Sequence, residues 1–302
     1  MLWLWLFISG LILVIVLLLI KIHLLRKSAK EIECSFAEKL ITDSNTLIDI
    51  SRYNDTFTMA GRCLLLSKRN PDTFLTSIIL PALMMLLFIS LFGNLIQIEG
   101  ISYVDFIVPG ILLQCIAQGS STTAIMVNKD VTSGIVTRFS TLPINKISIL
   151  NGHILEAFIR SIISTVVVVL IAILLGFRPS LHITDIGIVF ILLVGIISVL
   201  SWLAVIVGVI TNSAEGASSL SAIAIILPYL SSGFVPTETL PSIMKVFAEY
   251  QPMTPIIDTM RNAFLGNPLD IKVFIIALIW CVGLTITFYL VSLVLFKKRL
   301  HN

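Results

Sequence analysis

The sequence predicts an all-α integral membrane protein with several spans, and three observations predict it. Of 302 residues, 57% are hydrophobic and only 12% are charged, whereas a soluble domain carries about 25% charged residues. Mean hydropathy is +1.04. The apolar residues gather into runs of about 20, the length at which a helix crosses a hydrocarbon core of about 30 Å. The net charge of +3 is small and informs only once the charges are placed. Cys34, Cys63, Cys115 and Cys281 are far apart and form no C-x-x-C pair, so neither a disulfide framework nor a metal site is supported. His23, His153, His182 and His301 are equally scattered. No G-x-x-x-x-G-K-[ST] loop occurs, so the chain does not bind a nucleotide through that motif.

Residues 2–20, LWLWLFISGLILVIVLLLI, are unbroken apolar sequence. No basic region precedes them and no small-residue cleavage site follows, which predicts an uncleaved anchor rather than a signal peptide. Lys21, Arg26, Lys27 and Lys30 come next and orient its C-terminal side toward the cytoplasm. Residues 21–56 read as a soluble helical linker, with Ala29, Ile32, Phe36 and Leu40 on one stripe. The stretch LLRKSAKEIECSFAEKLITDSNTLIDIS resembles the segment after the membrane helix of Gram-positive sensor histidine kinases, over residues 1 to about 55. No kinase core follows it, and a plain basic juxtamembrane helix accounts for it equally well.

Residues 57–70, FTMAGRCLLLSKRN, combine Leu64, Leu65 and Leu66 with Arg62, Lys68 and Arg69. That pattern suits a helix in the headgroup plane of an anionic leaflet. Six spans follow at about 74–97, 104–127, 150–176, 185–210, 217–234 and 271–296. Pro81, Pro109 and Pro228 sit in or near them, as membrane helices tolerate. Placed on this topology, fifteen of the twenty Lys and Arg fall on the side of residues 21–73, the 126–149 loop and the C-terminal tail. Arg178, Lys245, Arg261 and Lys272 fall opposite, and Arg160 lies within a span. The asymmetry predicts a cytoplasmic 126–149 loop and a cytoplasmic C-terminus. Glu156 lies one turn before Arg160, so the two can pair along one face near the helix start, where snorkelling is open to them.

Two polar stretches stand out. MVNKDVTSGIVTRFSTLPINKISILNG, residues 126–152, holds Lys129, Asp130, Arg138 and Lys146, a central Gly134 and a stop at Pro143. Val131, Ile135, Phe139 and Leu142 fall at helical spacing, so part of it reads as a short amphipathic helix. It is either a handle for a soluble partner or a solvated turn that obeys the charge-orientation rule. Gly134 either admits a close approach or kinks the helix. Arg138 faces either an acidic partner groove or phosphate headgroups. Residues 235–270 suggest two short helices. One carries Leu240, Ile243, Met244 and Phe247 on a face; the other has Thr254 as N-cap, Pro255 in its first turn, Gly266 as stop, and Ile256, Ile257, Met260 and Phe264 on its apolar face. Both are too short to cross a bilayer and too apolar for water, which predicts a re-entrant or interfacial hairpin packed on protein.

Four blocks together resemble the permease subunit of ABC type-2 transporters, in the multidrug and polyketide-antibiotic exporter branch. They are RNPDTFLTSIILPALMMLLFISLFG (69–93), DFIVPGILLQCIAQGSSTTAIMVNKDVTSGIVTRFSTLPINKISILNG (105–152), LPYLSSGFVPTETLP (227–241) and QPMTPIIDTMRNAFLG (251–266). The resemblance covers about residues 57–302. It implies a dimer of permeases in a bacterial plasma membrane, with no cofactor of its own; ATP and Mg²⁺ would be handled by a separate ATP-binding cassette subunit. It further implies that the coupling loop (Lys129, Asp130, Gly134, Arg138, Phe139, Pro143, Lys146) and the basic helix (Arg62, Lys68, Arg69) transmit the partner's motion. The outer block (Gly233, Pro236, Pro241, Pro252, Pro255, Arg261) would act as an external gate. Thr132 departs from the pattern, where the family often carries Glu. The implied substrate is an amphipathic drug, antibiotic or lipid-like molecule, with no nucleic-acid partner. Polysaccharide or teichoic-acid lipid export is the alternative within the family, and a membrane sensor is the alternative outside it. A self-contained channel is disfavoured by the lack of a filter motif.

Overall fold

The computed structural model describes residues 52–93, 101–142, 144–180, 182–237 and 241–301. The predicted anchor at 1–20, residues 21–51 of the linker, Pro143, Thr239 and Leu240 lie outside the described residues.

Helix α1 (Arg52–Arg69) leads into α2 (Pro71–Phe92), with Asn70 and Pro71 at the junction. Helix α3 (Tyr103–Thr132) follows, capped by Ser102, whose hydroxyl accepts from the Asp105 amide at 3.1 Å. The short α4 (Ile135–Ser140) comes next, then α5 (Ile147–Leu174) and α6 (Ile183–Ile210). Helix α7 (Ala214–Ile226) runs on into a 3₁₀ turn, Leu227–Leu230. The chain closes with α8 (Ser242–Tyr250), α9 (Met253–Leu265) and α10 (Ile271–His301).

Five of these helices (α2, α3, α5, α6 and α10) are long and apolar enough to cross a membrane. Each starts within three residues of its predicted span. The predicted span at 217–234 is realised as a shorter apolar helix, Ala214–Leu230. At about 1.5 Å per residue it reaches roughly 25 Å, a little less than a full core.

Helix α3 is the axis of the fold. It packs against α2, α5, α6, α7 and α9, and 83% of its most apolar window is buried, against 22% for α2 and 11% for α10. The outer helices therefore turn leucine and isoleucine outward, as lipid-facing helices do, while α3 can carry Gln114, Ser120, Ser121, Thr122, Thr123 and Asn128 inside. Small residues let the backbones meet. A Cβ on Gly110 would lie 2.7 Å from the Gly233 carbonyl oxygen, and one on Gly152 would lie 2.7 Å from Met59 Cβ. These two contacts seat the 227–237 segment and α1 against the bundle.

Several expectations are revised. The Val131, Ile135, Phe139, Leu142 stripe does not lie on one helix: Gly134 takes φ 73° and breaks the chain between α3 and α4. No atom lies within 4 Å of where its side chain would be, so Gly134 serves the turn and not a close approach. Glu156 and Arg160 do not snorkel; both are buried inside the bundle, because hydroxyl and carbonyl partners there satisfy them. Thr254 is not the N-cap of α9. That helix starts at Met253, and the Thr254 hydroxyl bonds back to the Ala248 carbonyl at 2.5 Å, tying α9 to α8. The Gly266 stop stands, at φ 67°.

Candidate functional site: a charged brace beneath the inter-span loop

Helix α1 buries Met59, Ala60 and Cys63, lies along α5, and reaches both ends of the 126–149 loop. At one end Arg62 grips Asp130 as a fork: Nη1 donates to Oδ2 at 2.5 Å and Nη2 to Oδ1 at 2.8 Å. The hydrogen bond to Asp130 raises the Arg62 pKa above its ordinary value. His153 Nε2, from α5, lies 3.0 Å from the same Oδ2, and Cys63 Sγ lies 3.6 Å from His153 Nδ1. In the middle of the loop the Arg62 guanidinium stands 5.3 Å from the centre of the Phe139 ring. At the other end Asp55 Oδ2 accepts from the Asn145 amide at 3.0 Å, and Thr56 Oγ1 donates to Ser148 Oγ at 3.3 Å.

A second polar tie lies next to the first. Ser67 Oγ donates to Glu156 Oε1 at 2.6 Å. Arg160 Nε donates to the same oxygen at 2.8 Å, Nη1 to the Gly119 carbonyl at 2.7 Å and Nη2 to Thr123 Oγ1 at 2.6 Å. Helix α1 is thus joined to α3 and α5 by charge-assisted bonds whose carboxylates are buried.

The predicted loop residues therefore divide. Lys129, Arg138 and Lys146 are exposed. Asp130 is buried in the last turn of α3 and faces inward, while Phe139 is half-buried under Arg62. Lys68 and Arg69 are exposed at the end of α1. Thr132 turns its hydroxyl onto the Asn128 carbonyl of its own helix at 2.8 Å. Sequence reasoning did not single out Asp55, Cys63, Ser67 or His153. For His153 a signal existed: with Glu156 and Arg160 it falls at i, i+3 and i+7, a polar stripe in an apolar helix. For the others, partners 59 to 90 positions away in sequence leave no local trace.

The predicted outer residues gather at the far end of α3, about 35 Å along its axis from Asp130. Arg261 is the centre of this group. Its Nη1 donates to Asp258 Oδ1 at 2.8 Å, Nη2 to the Ser232 carbonyl at 2.5 Å and Nε to the Phe106 carbonyl at 3.2 Å. Its guanidinium lies 3.9 Å from the centre of the Phe106 ring. Burial lowers its pKa, opposed by Asp258. Gly233 backs onto Gly110, and Pro255 is buried in α9. Pro252 caps α9, Pro241 caps α8, and Pro236 is half-buried. The two hairpin helices differ: α9 packs on α3, α6 and α10, whereas α8 exposes Ile243, Met244, Val246, Phe247 and Tyr250.

Among the described residues, five span-length apolar helices, a braced basic loop at one end of α3 and a hairpin with one buried helix at the other make a multi-pass membrane protein. The profile of the ABC-2 type transporter family matches residues 54–265. A daunorubicin resistance ABC transporter permease protein of Streptomyces coeruleorubidus is 27% identical over 248 residues, covering 81% of this chain and 86% of that protein. A protein of Mycobacterium tuberculosis named as a probable doxorubicin resistance ABC transporter permease is 30% identical over 238 residues, covering 76% of this chain and 84% of its own. The chain belongs to the ABC-2 type transporter family.

Proposed function

We infer that this chain is the membrane-spanning permease subunit of an ATP-driven ABC exporter that moves a drug or antibiotic of amphipathic character out of a bacterial cell. The permease itself performs no catalysis. A separate ATP-binding cassette subunit binds ATP and Mg²⁺, and a second permease copy completes the pathway. The 126–149 loop and the C-terminus face the cytoplasm, which the distribution of Lys and Arg supports. The domain that does this work runs from about residue 57 to the C-terminus, with residues 1–56 as an added anchor and linker.

The observation that carries this reading is the brace. Lys129, Arg138 and Lys146 present positive charge to solvent, while Arg62, Asp130 and Asn145 hold the loop's two ends to one stiff helix. A push on the exposed cations is thereby passed into α3 and α5 instead of being lost in a floppy turn. At the far end, Arg261 and the Gly110–Gly233 contact hold the 227–266 block on α3, where Gly233, Pro236, Pro241, Pro252 and Pro255 would let it act as an external gate. The test is Arg138→Glu, co-expressed with the ATP-binding subunit. Export should fall at least about tenfold while membrane insertion is unchanged; unimpaired export by this variant would refute the assignment.

A further inference from the structure

Two glutamine side chains meet the 3₁₀ turn Leu227–Leu230, and a third lies beside one of them on α3. Gln114 of α3 is completely buried, and its Nε2 donates to Tyr229 Oη. Gln251, 5% exposed, donates through Nε2 to the Leu230 carbonyl at 2.6 Å. A carbonyl can only accept, so the orientation of the Gln251 amide is fixed and its oxygen is the free end. Gln118 lies one helical turn from Gln114 on the same face of α3. Among the described residues, the Oε1 atoms of Gln118 and Gln251 are buried without a donor, as is that of Gln114 when its Nε2 faces Tyr229. Leaving a buried acceptor unmatched is costly, and several joined through one stretch of α3 and the turn beside it call for a common reason.

Aromatic rings stand beside them. Tyr229 stacks on Phe234 at 4.5 Å and on Phe88 at 6.3 Å, and Phe88 stacks on Phe92 at 5.5 Å. Phe88, Phe92, Tyr229 and Gln118 are half-buried, and Ile226 and Leu230 are exposed, so this shelf opens to the surface of the bundle. Flat aromatic faces beside neutral acceptors select for shape and hydrogen-bond donation, not for net charge.

We propose that Gln114, Gln118 and Gln251, with Phe88 and Tyr229, form a solute-recognition site for planar aromatic amphipathic molecules whose edge carries amino or hydroxyl donors. The site rests on the exporter reading and assigns the residues that would choose its cargo. Two dyes isolate the donor: rhodamine 123, with free amino groups, and tetramethylrhodamine methyl ester, the same skeleton with those groups fully methylated. Fluorescence polarisation on the full chain in lipid nanodiscs should show about tenfold tighter binding of rhodamine 123, the worth of about one satisfied buried acceptor. Gln118→Leu and Gln251→Leu should each lower that preference, with affinity for the methylated dye unchanged, which also shows the variants are folded. Gln118→Glu, which keeps its acceptors, should retain it. Wild-type protein that binds both dyes alike or binds neither overturns the proposal, as does a preference that survives both leucine variants. Export lost in Arg138→Glu but no dye preference in the wild type would leave the exporter reading standing and remove this site alone.

Discussion

Glu156 is completely buried and takes its counter-charge from Arg160, with Ser67 adding a hydroxyl. Removing one partner leaves the other charge stranded. Arg160→Met should therefore lower stability by about 3–5 kcal/mol, read as a lower melting temperature in detergent. Glu156→Gln combined with Arg160→Met should cost clearly less, since neither charge remains; equal losses in the single and double variants would count against this reading. The Asp130 brace is more open on its arginine side. Asp130→Asn should cost about 1.5–3 kcal/mol. The reciprocal pair Arg62→Asp with Asp130→Arg should regain part of that loss, although His153 beside the new arginine limits the recovery. Gly134 and Gly110 separate two kinds of glycine. At Gly134, φ 73° with open space around it predicts a loss of about 1 kcal/mol for alanine. At Gly110, the Gly233 backbone in the way predicts about 1–3 kcal/mol and a displaced 227–237 segment.

At the scale of elements, α1 and α8 are both short and amphipathic, yet they end differently. The buried side of α1 finds Gly152, His153 and Asp130, so the helix is fixed to the bundle and its motion is the bundle's motion. Helix α8 keeps Ile243, Met244 and Phe247 exposed. Its buried Ala248, the Thr254 bond to the Ala248 carbonyl and the Gln251 bond to the Leu230 carbonyl join it to the rest. Replacing Thr254 with Val should loosen α8 while leaving α9 in place. Limited proteolysis near residues 248–252 should accelerate, and the melting temperature of the whole chain should move little. This sequence pattern told that both segments are helical and half-apolar. It could not tell which half-apolar face meets protein, because that depends on residues from helices far away in the chain.

At the scale of the molecule, α3 connects two polar assemblies about 35 Å apart: the brace at Asp130 and the Arg261 group at Phe106. In the proposed reading, a single buried helix touching both would be the physical link between a push on the 126–149 loop and the far hairpin. The proposed orientation is directly testable. In sealed cells, Lys146→Cys should react with a membrane-impermeant maleimide only after permeabilisation, and Lys245→Cys should react without it; the reverse pattern would sink the exporter orientation. Truncation of residues 1–51 should leave export intact if that segment is an appended anchor, measured as retained drug resistance in cells carrying the ATP-binding subunit.

Composition and run length alone determined that the chain is helical and lives in a membrane, and they placed the starts of the long helices to within a turn. That follows because lipid forces each spanning segment to satisfy its own backbone, so the information is local. The glycine stop at Gly266 was legible for the same reason, whereas the break at Gly134 was not, because the apolar stripe across it read as one helix. Only the tertiary structure decided that Asp130 faces inward while Lys129 beside it faces out, that Arg62 meets Asp130 across 68 residues, and that Glu156 and Arg160 are sealed in the interior. A charge in an apolar chain must find a partner, but which partner it finds is set by how the helices cross.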